Sequence, residues 1–121
     1  LTSYGLRSLS PRHAEFQPYY RGAVRERDGG YHQGPVWAWL LGHYAVAHYR
    51  VQGDAAAAQA WLEPIRDHLL DAGLGTVSEI FDGAPPHHPR GAPAQAWSMA
   101  CVLDAWQRLE RLRTQPPAST C

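Results

Sequence analysis

The sequence predicts an all-α fold, and three observations lead to that prediction. Apolar residues recur at steps of three and four in three separate segments, which is the spacing of one helix face. Proline and glycine punctuate the chain between these segments. No segment alternates apolar and polar residues over the length of a strand; the nearest candidate, residues 76–81, is too short to organise a sheet.

The first predicted helix spans residues 35–51. Pro35 suits its first turn, because a backbone N–H is not needed for hydrogen bonding there. Gly53 ends it, as glycine commonly does just beyond a helix. Trp37 and Trp39 cannot share one face of this helix, since two residues turn it by about 200°. We therefore expect one of the two rings to point towards the loops.

Two further helices are predicted. Asp54 is a suitable N-cap for a second helix that continues to Ala72, with a kink at Pro64. The third helix spans residues 94–112. Its predicted apolar face consists of Trp97, Cys101, Leu103, Trp106, Leu109 and Leu112.

The remaining segments predict loops. Residues 1–33 contain several glycines and prolines without a sustained period, which indicates an ordered but irregular region, and residues 114–121 indicate a flexible tail. Helices joined by short and long loops in turn favour an α/α hairpin array, whose long loops gather at one end and form a site. Three helices make an incomplete array. We expect residues 1–113 to be part of something larger, and the start without Met agrees with this.

Composition limits the classes of partner. All eleven basic residues are Arg and balance eleven acidic residues, so the sequence indicates neither a nucleic acid nor an anionic membrane as partner. A neutral, sugar-like partner fits this balance better. No apolar run approaches the roughly 18 residues of a membrane span. Cys101 and Cys121 form neither a metal-binding spacing nor a disulfide framework, so we expect a reducing, cytoplasmic setting.

Glu79 is the candidate catalytic residue. It lies in the glycine-bounded loop of residues 75–83, with aromatic motifs on both sides in the chain. Its functional interpretation is a general base that orients and deprotonates a water molecule, and its structural alternative is a carboxylate that binds nearby backbone N–H groups. Asp82 could hydrogen-bond sugar hydroxyls or position Glu79. Glycoside hydrolysis usually needs two carboxyl groups, and the sequence offers one convincing candidate.

Aromatic and amide side chains before two predicted helix starts are the candidate sugar-binding residues. Free N–H groups and polar side chains there can meet sugar hydroxyls, and an apolar ring can stack on a sugar ring. The structural alternative is that the tryptophans pack in the core. His87 and His88 lack the spacing of a zinc site, no nucleophile elbow is present, and no metal or cofactor is indicated. The candidates are Tyr31, His32, Gln33, Trp37, Gln95 and Trp97.

Four motifs in register carry a resemblance to a known family. They run from Tyr4 to Ser10, from Tyr31 to Trp37, from Val77 to Gly83 and from Ala94 to Ser98. Their order and spacing resemble the C-terminal part of glycogen debranching enzymes, at the end of the amylo-α-1,6-glucosidase domain. The resemblance covers roughly residues 1–110. It implies a partial (α/α)6 toroid related to the glucoamylase-type glycosidases, with an inverting mechanism in which Glu79 is the general base.

The same resemblance implies the substrate and a partner. The substrate would be α-1,6-linked glucose at a branch point of glycogen or a related α-glucan. The family's general acid is an aspartate well upstream; no segment here matches it, and Asp28 precedes the wrong motif. The upstream remainder of the same enzyme is therefore the expected partner. Ala38 stands where the family often has Pro, and Ala92 where Cys is common, but neither departure removes a polar group assigned to chemistry.

Two alternatives remain open at the level of sequence. The first is a different toroid glycosidase, either glucoamylase-like or trehalase-like, because such enzymes also use aromatic motifs before helices. The second is a non-catalytic helical module that binds α-glucan or has only a structural role. The missing general acid favours the second alternative for the isolated chain.

Overall fold

A computed structural model describes residues 1–114 of the chain. Most of the regular structure is helical, and four two-residue strands form a small antiparallel sheet. The helices are α1 (Val24–Gly30), α2 (Trp39–Gln52), α3 (Ala55–Ala60), α4 (Glu63–His68) and α5 (Ala96–Thr114). The strands are β1 (Leu6–Arg7), β2 (Val36–Trp37), β3 (Ile80–Phe81) and β4 (Pro89–Arg90). The all-α prediction is correct for the helices and wrong in omitting the sheet.

The sheet joins four distant parts of the chain in the order β1-β2-β3-β4. Val36 pairs with Phe81 and Trp37 with Ile80 at its centre, and all four side chains are buried. The expectation that residues 76–81 could not organise a sheet is therefore wrong. Strands of two residues are too short to show alternation, so periodicity could not reveal them.

Helix α2 begins four residues later than predicted and ends where predicted. Pro35 precedes β2 instead of opening the helix, and its carbonyl oxygen accepts the Ser8 N–H at 3.0 Å. Trp39 is the first residue of α2. Gly53 follows the last residue with a left-handed φ of 73°, and its N–H donates to the Tyr49 carbonyl at 2.7 Å. The predicted C-terminus is confirmed.

The second predicted helix is two short helices in the structure. The Asp54 side chain accepts the Ala57 N–H at 2.9 Å, which confirms the predicted N-cap of α3. Pro64 lies in the first turn of α4, where its missing N–H costs nothing, and the kink expected there is a break between two helices. Helix α4 ends at His68, so the predicted continuation to Ala72 is wrong.

Helix α5 lies within two residues of its predicted bounds, but it buries a different face. Leu109 is the one predicted face residue that is fully buried, and Trp97 and Leu103 are 53% and 49% exposed. Gly42 on α2 explains the close packing of α2 against α5. A Cβ atom at that position would lie 2.2 Å from the Cys101 carbonyl oxygen. The buried face of α5 consists of Ser98, Val102, Ala105 and Leu109.

The terminal segments also differ from expectation. Residues 1–33 contain β1 and α1 in addition to irregular structure, and the Glu26 carboxylate accepts the Ala23 N–H at 2.6 Å at the start of α1. Thr114 is the last residue of α5, and the remainder of the predicted tail, residues 115–121, lies outside the described residues. Within residues 1–114, no helix is both long and apolar enough to cross a membrane.

The core lies between the sheet and helices α2, α3, α4 and α5, and it leaves one face of the helices open. An apolar groove of about 310 Å³ runs between α4 and α5. Most of its lining is aliphatic or aromatic. The residues that line it are Leu62, Ile65, Arg66, Leu69, Val77, Met99, Val102, Leu103 and Trp106.

Candidate active site

An aromatic cavity of about 420 Å³ lies beside β2 and the first turns of α2 and α5. His32 and Trp37 stack with ring centres 5.4 Å apart, and Trp39 and Trp97 stack at 4.3 Å. Such flat apolar surfaces suit the apolar face of a sugar ring. The lining residues are Ser8, Tyr31, His32, Trp37, Trp39, Leu40, Gln95 and Trp97.

Trp37 and Trp39 both border this cavity, although the sequence predicted that one of them would. Trp37 belongs to β2 and Trp39 opens α2, so the helical angle between them does not apply. Trp37 is 8% exposed, and its indole Nε1 has no hydrogen-bond partner within the described part of the chain. A buried donor of this kind is available to a ligand or an ordered water.

Glu79 is held at both carboxylate oxygens. Oε1 accepts a hydrogen bond from the Tyr31 hydroxyl, and Oε2 accepts the Ala92 N–H at 2.8 Å. The Glu79 N–H in turn donates to the Ala92 carbonyl at 2.9 Å. An ionised carboxylate offers about four acceptor positions, so each oxygen retains one for a further donor such as water.

Gly91 makes room for this carboxylate. Its φ is +68°, a left-handed conformation that side chains other than glycine rarely adopt, and a Cβ atom there would lie 2.5 Å from Glu79 Oε2. The tight turn after β4 therefore depends on glycine. Because the next residue is Ala92, the turn also fixes the backbone N–H that Glu79 accepts.

Tyr31 connects Glu79 with the aromatic cavity. Burial raises the pKa of Tyr31 to about 12, helped by the hydrogen bond to Glu79 and by the nearby negative charge of Glu79. Its hydroxyl therefore stays protonated, and stays a donor, at neutral pH. The Tyr31 ring meets the Trp37 ring edge to face at 4.8 Å and the Tyr20 ring at 5.8 Å.

Asp82 is buried, and its side chain is 1% exposed. Its carboxylate accepts hydrogen bonds from Arg90 Nε at 3.1 Å and from Arg90 Nη2 at 2.9 Å. It also accepts a hydrogen bond from the Tyr20 N–H at 2.8 Å. The hydrogen bond to Asp82 raises the pKa of Arg90. These bonds engage both carboxylate oxygens of Asp82 and tie β3 to β4 and to the segment before α1.

His68 and Ser78 support the residue that precedes Glu79. His68 Nε2 accepts the Ser78 N–H at 3.3 Å and lies 3.1 Å from the Ser78 hydroxyl oxygen. Both side chains are buried. Burial lowers the pKa of His68, and the charge of Asp71 partly opposes this. Because a backbone N–H can only donate, Nε2 must carry a free lone pair, so the bond requires neutral His68.

The structure brings most of the sequence-predicted site residues together. Tyr31, His32, Trp37, Gln95 and Trp97 border one cavity, and Glu79 bonds to the first of them. Gln33 borders a different cavity, beside Phe16 and Gln17, and Asp82 is enclosed with Arg90. Within residues 1–114, no group of three or more His, Cys, Asp or Glu side chains is arranged to hold a metal ion.

Sequence reasoning missed several residues of this region. The Ser8 hydroxyl oxygen accepts the Gly34 N–H at 3.0 Å, and the position of Ser8 in the first of the four motifs was the available signal. Trp39 also lines the cavity, although it was not among the candidate sugar-binding residues. His68, Arg90 and Gly91 act through contacts with partners 8 to 12 residues away, which no local pattern reveals.

A protein-family model described as amylo-alpha-1,6-glucosidase matches residues 1–104 of this chain. The chain belongs to the amylo-α-1,6-glucosidase family. The matched range contains all four motifs and every candidate site residue, so the resemblance predicted from the motifs is confirmed.

A glycogen debranching enzyme from Saccharomyces cerevisiae is similar to this member of the amylo-α-1,6-glucosidase family. The two are 28% identical over an alignment of 128 positions, which covers 87% of this chain and 8% of the yeast protein. The chain thus spans about 8% of the length of that relative.

Proposed function

We propose that this chain forms the base-bearing segment of a glycoside hydrolase that releases α-1,6-linked glucose at branch points of glycogen or a related α-glucan. The observation that carries the proposal is Glu79, whose carboxylate is fixed at both oxygens and bonded to a residue of the aromatic cavity. The family match and the yeast glycogen debranching enzyme support the same class of substrate.

In the proposed inverting mechanism, Glu79 is the general base. A water molecule donates to a free lone pair of the carboxylate and attacks the anomeric carbon of the terminal glucose, while Glu79 takes the water's proton. The bond from the anomeric carbon to O6 of the glucan breaks at the same time. A second carboxyl group protonates the departing O6, and the released glucose has the inverted β configuration.

The aromatic cavity would hold the glucose. The half-exposed ring of Trp97 offers a stacking surface. Trp37 is buried and offers instead its indole N–H, which is unpaired within residues 1–114, and Gln95 and His32 offer polar atoms for hydroxyl groups. Asp82 is assigned the positioning role considered for it from the sequence, because its oxygens are occupied by Arg90 and the Tyr20 N–H. A sugar-contacting role for Gln33 stays a prediction, since it borders a different cavity.

The general acid would come from another part of the same enzyme. Asp82 is unsuited to that role, because its side chain is buried and both of its oxygens already accept hydrogen bonds, from Arg90 and from the Tyr20 N–H. We propose that the rest of an (α/α)6 toroid packs against this segment, and the apolar groove between α4 and α5 is a suitable surface. A cytoplasmic location, predicted from cysteine usage, belongs to the same proposal.

A substrate panel tests the function. The complete natural polypeptide that carries this sequence would be assayed with a glucosyl-branched limit dextrin, a linear α-1,4 maltooligosaccharide and α,α-1,1-linked trehalose. We expect glucose release from the branched substrate alone, with β-glucose as the first product by proton NMR. First-formed α-glucose would contradict the inverting mechanism.

The other outcomes identify the alternatives. Faster cleavage of the α-1,4 or α,α-1,1 linkage would favour a glucoamylase-like or trehalase-like enzyme. Calorimetric binding of maltooligosaccharide without any glucose release would favour a non-catalytic glucan-binding module. The absence of both heat and turnover would favour a purely structural role.

A further inference from the structure

Tyr31 lines the aromatic cavity and also donates a hydrogen bond to Glu79. We infer that Tyr31 is a positioning residue for Glu79, and that its hydroxyl, as distinct from its ring, holds the carboxylate in place for the reaction. This inference rests on the proposed function, because it assigns a role within the same reaction. It follows from two sets of contacts, those of the Tyr31 hydroxyl and those of the Tyr31 ring.

The hydroxyl contacts the carboxylate of Glu79. Oε2 of Glu79 is fixed by the Ala92 N–H, a backbone group of the turn after β4. Oε1 has a side-chain donor, the Tyr31 hydroxyl, which comes from a position 48 residues away in the chain. A carboxylate held at one oxygen can still rotate about its side-chain bonds, whereas two donors from separate segments fix its plane.

The Tyr31 ring is held by neighbouring aromatic residues. Tyr31 lies against three other aromatic rings, with centres 4.8 Å away at Trp37, 4.9 Å at His32 and 5.8 Å at Tyr20. The backbone N–H of Tyr20 donates to Asp82, three residues after Glu79. The segment from Glu79 to Asp82 is therefore held at both ends by two neighbouring tyrosines whose rings contact each other. A ring clamped in this way gives its hydroxyl a fixed position.

The hydroxyl is also kept in the donor form. A phenol that ionised near neutral pH would repel the carboxylate instead of binding it. Burial, the hydrogen bond to Glu79 and the charge of Glu79 raise the pKa of Tyr31 to about 12, so the hydroxyl stays a donor well into the alkaline range. The bond to a charged acceptor belongs to the stronger class of hydrogen bonds.

Two substitutions separate the hydroxyl from the ring. Tyr31→Phe removes the hydroxyl and keeps the ring, whereas Tyr31→Leu removes both. In the complete natural polypeptide, we expect Tyr31→Phe to lower kcat on branched limit dextrin about 10- to 100-fold with little change in KM. We expect Tyr31→Leu to lower kcat similarly and to raise KM as well. The matched control is Tyr19→Phe, whose exposed ring lies against Arg21 and should leave both constants unchanged.

A second measurement does not depend on activity. Carbon-13 NMR of labelled tyrosine rings would follow ionisation in the wild type and in Glu79→Gln, with Tyr31→Phe assigning the signal. A phenol with a pKa of 12 is about 10% ionised at pH 11, and one with the ordinary value of 10 is about 90% ionised. We expect Tyr31 to ionise more readily in Glu79→Gln. The same degree of Tyr31 ionisation in both proteins would overturn the hydrogen bond itself.

The kinetic outcomes keep the two ideas distinguishable. Wild-type kcat in Tyr31→Phe together with loss of activity in Glu79→Gln overturns the inference and leaves the proposed function intact. Retained activity in Glu79→Gln overturns the base assignment, and the positioning role falls with it. Loss of kcat in both variants, with a changed Tyr31 ionisation in Glu79→Gln, supports both.

Discussion

At the scale of single residues, the position of Glu79 depends on groups from two other parts of the chain. The Tyr31 hydroxyl and the Ala92 N–H donate to its two oxygens, and Gly91 leaves the space that the carboxylate occupies. None of these residues is itself acidic or basic at neutral pH. The site therefore depends on backbone shape as much as on charge.

Gly91→Ala tests the role of backbone shape. The new methyl group would meet Oε2 of Glu79, and alanine at a left-handed φ costs about 1–2 kcal/mol. We expect glucose release from limit dextrin to fall about 100-fold, which is the effect of misplacing a catalytic group by about 1 Å. Unfolding in urea should show the accompanying loss of stability.

Gly53→Ala is the matched control for this substitution. Gly53 has a similar φ of +73°, but nothing lies within 4 Å of a Cβ atom at that position. It should lose a similar amount of stability and keep full activity. Equal activity losses in the two variants would show that backbone strain alone, and not displacement of Glu79, accounts for the effect.

At the scale of elements, the packing of α2 on α5 depends on Gly42. A Cβ atom there would meet the backbone of α5, so Gly42→Ala must push the helices apart, and we expect it to lower the free energy of unfolding by about 1–3 kcal/mol. Gly29 in α1 has open space around it, and Gly29→Ala should raise stability by up to about 1 kcal/mol. Urea unfolding of both variants measures these two opposite changes in the free energy of unfolding. Stabilisation by Gly42→Ala would contradict the close approach of the helices.

Helix α4 makes the loop before Glu79 sensitive to acid. His68 on α4 must be neutral to accept the Ser78 N–H, and burial lowers its pKa below 6.5 in the folded chain. As the pH falls through 6.5, the unfolded chain binds the proton first, so the free energy of unfolding decreases. Asp71 at 3.9 Å is the charged group near His68 Nδ1, and it reduces the effect without reversing it.

Urea unfolding at pH 7.5 and pH 5.5 measures this dependence. We expect the wild type to lose stability between these two pH values, and His68→Gln to lose much less. His88→Gln, at an exposed position, is the matched control and should keep the wild-type difference. An unchanged difference in His68→Gln would mean that other groups cause the acid sensitivity.

At the scale of the whole molecule, the sequence predicted what local signals determine. The end of α2 at Gly53 and the cap of α3 at Asp54 depend on a few neighbouring residues, and both are confirmed. The sheet was missed because β2 pairs with β1 and β3, whose residues lie far away in the chain and which are two residues long. The prediction of the buried face of α5 was wrong, because packing against Gly42, and not hydrophobicity alone, selects that face.

In the candidate site, too, residue types follow from local sequence, whereas contacts between distant residues do not. Residue type and motif suggested Glu79 and the aromatic residues as candidates, since carboxylates and flat rings are what sugar chemistry requires. The contact between Tyr31 and Glu79 spans 48 residues, and the ion pair of Asp82 with Arg90 depends on how β3 and β4 pair. Residue type could not show that one aspartate is enclosed while a nearby glutamate remains partly exposed.

The role of Glu79 as general base is tested most directly by glucose release from branched limit dextrin by Glu79→Gln in the complete natural polypeptide. Glutamine keeps the shape of the side chain and cannot accept the proton of water. We expect kcat to fall by about 10²- to 10⁴-fold, while KM and thermal stability change little. Glu15→Gln, at an exposed position, should match the wild type. A kcat for Glu79→Gln within twofold of the wild type would contradict the role of Glu79 as general base.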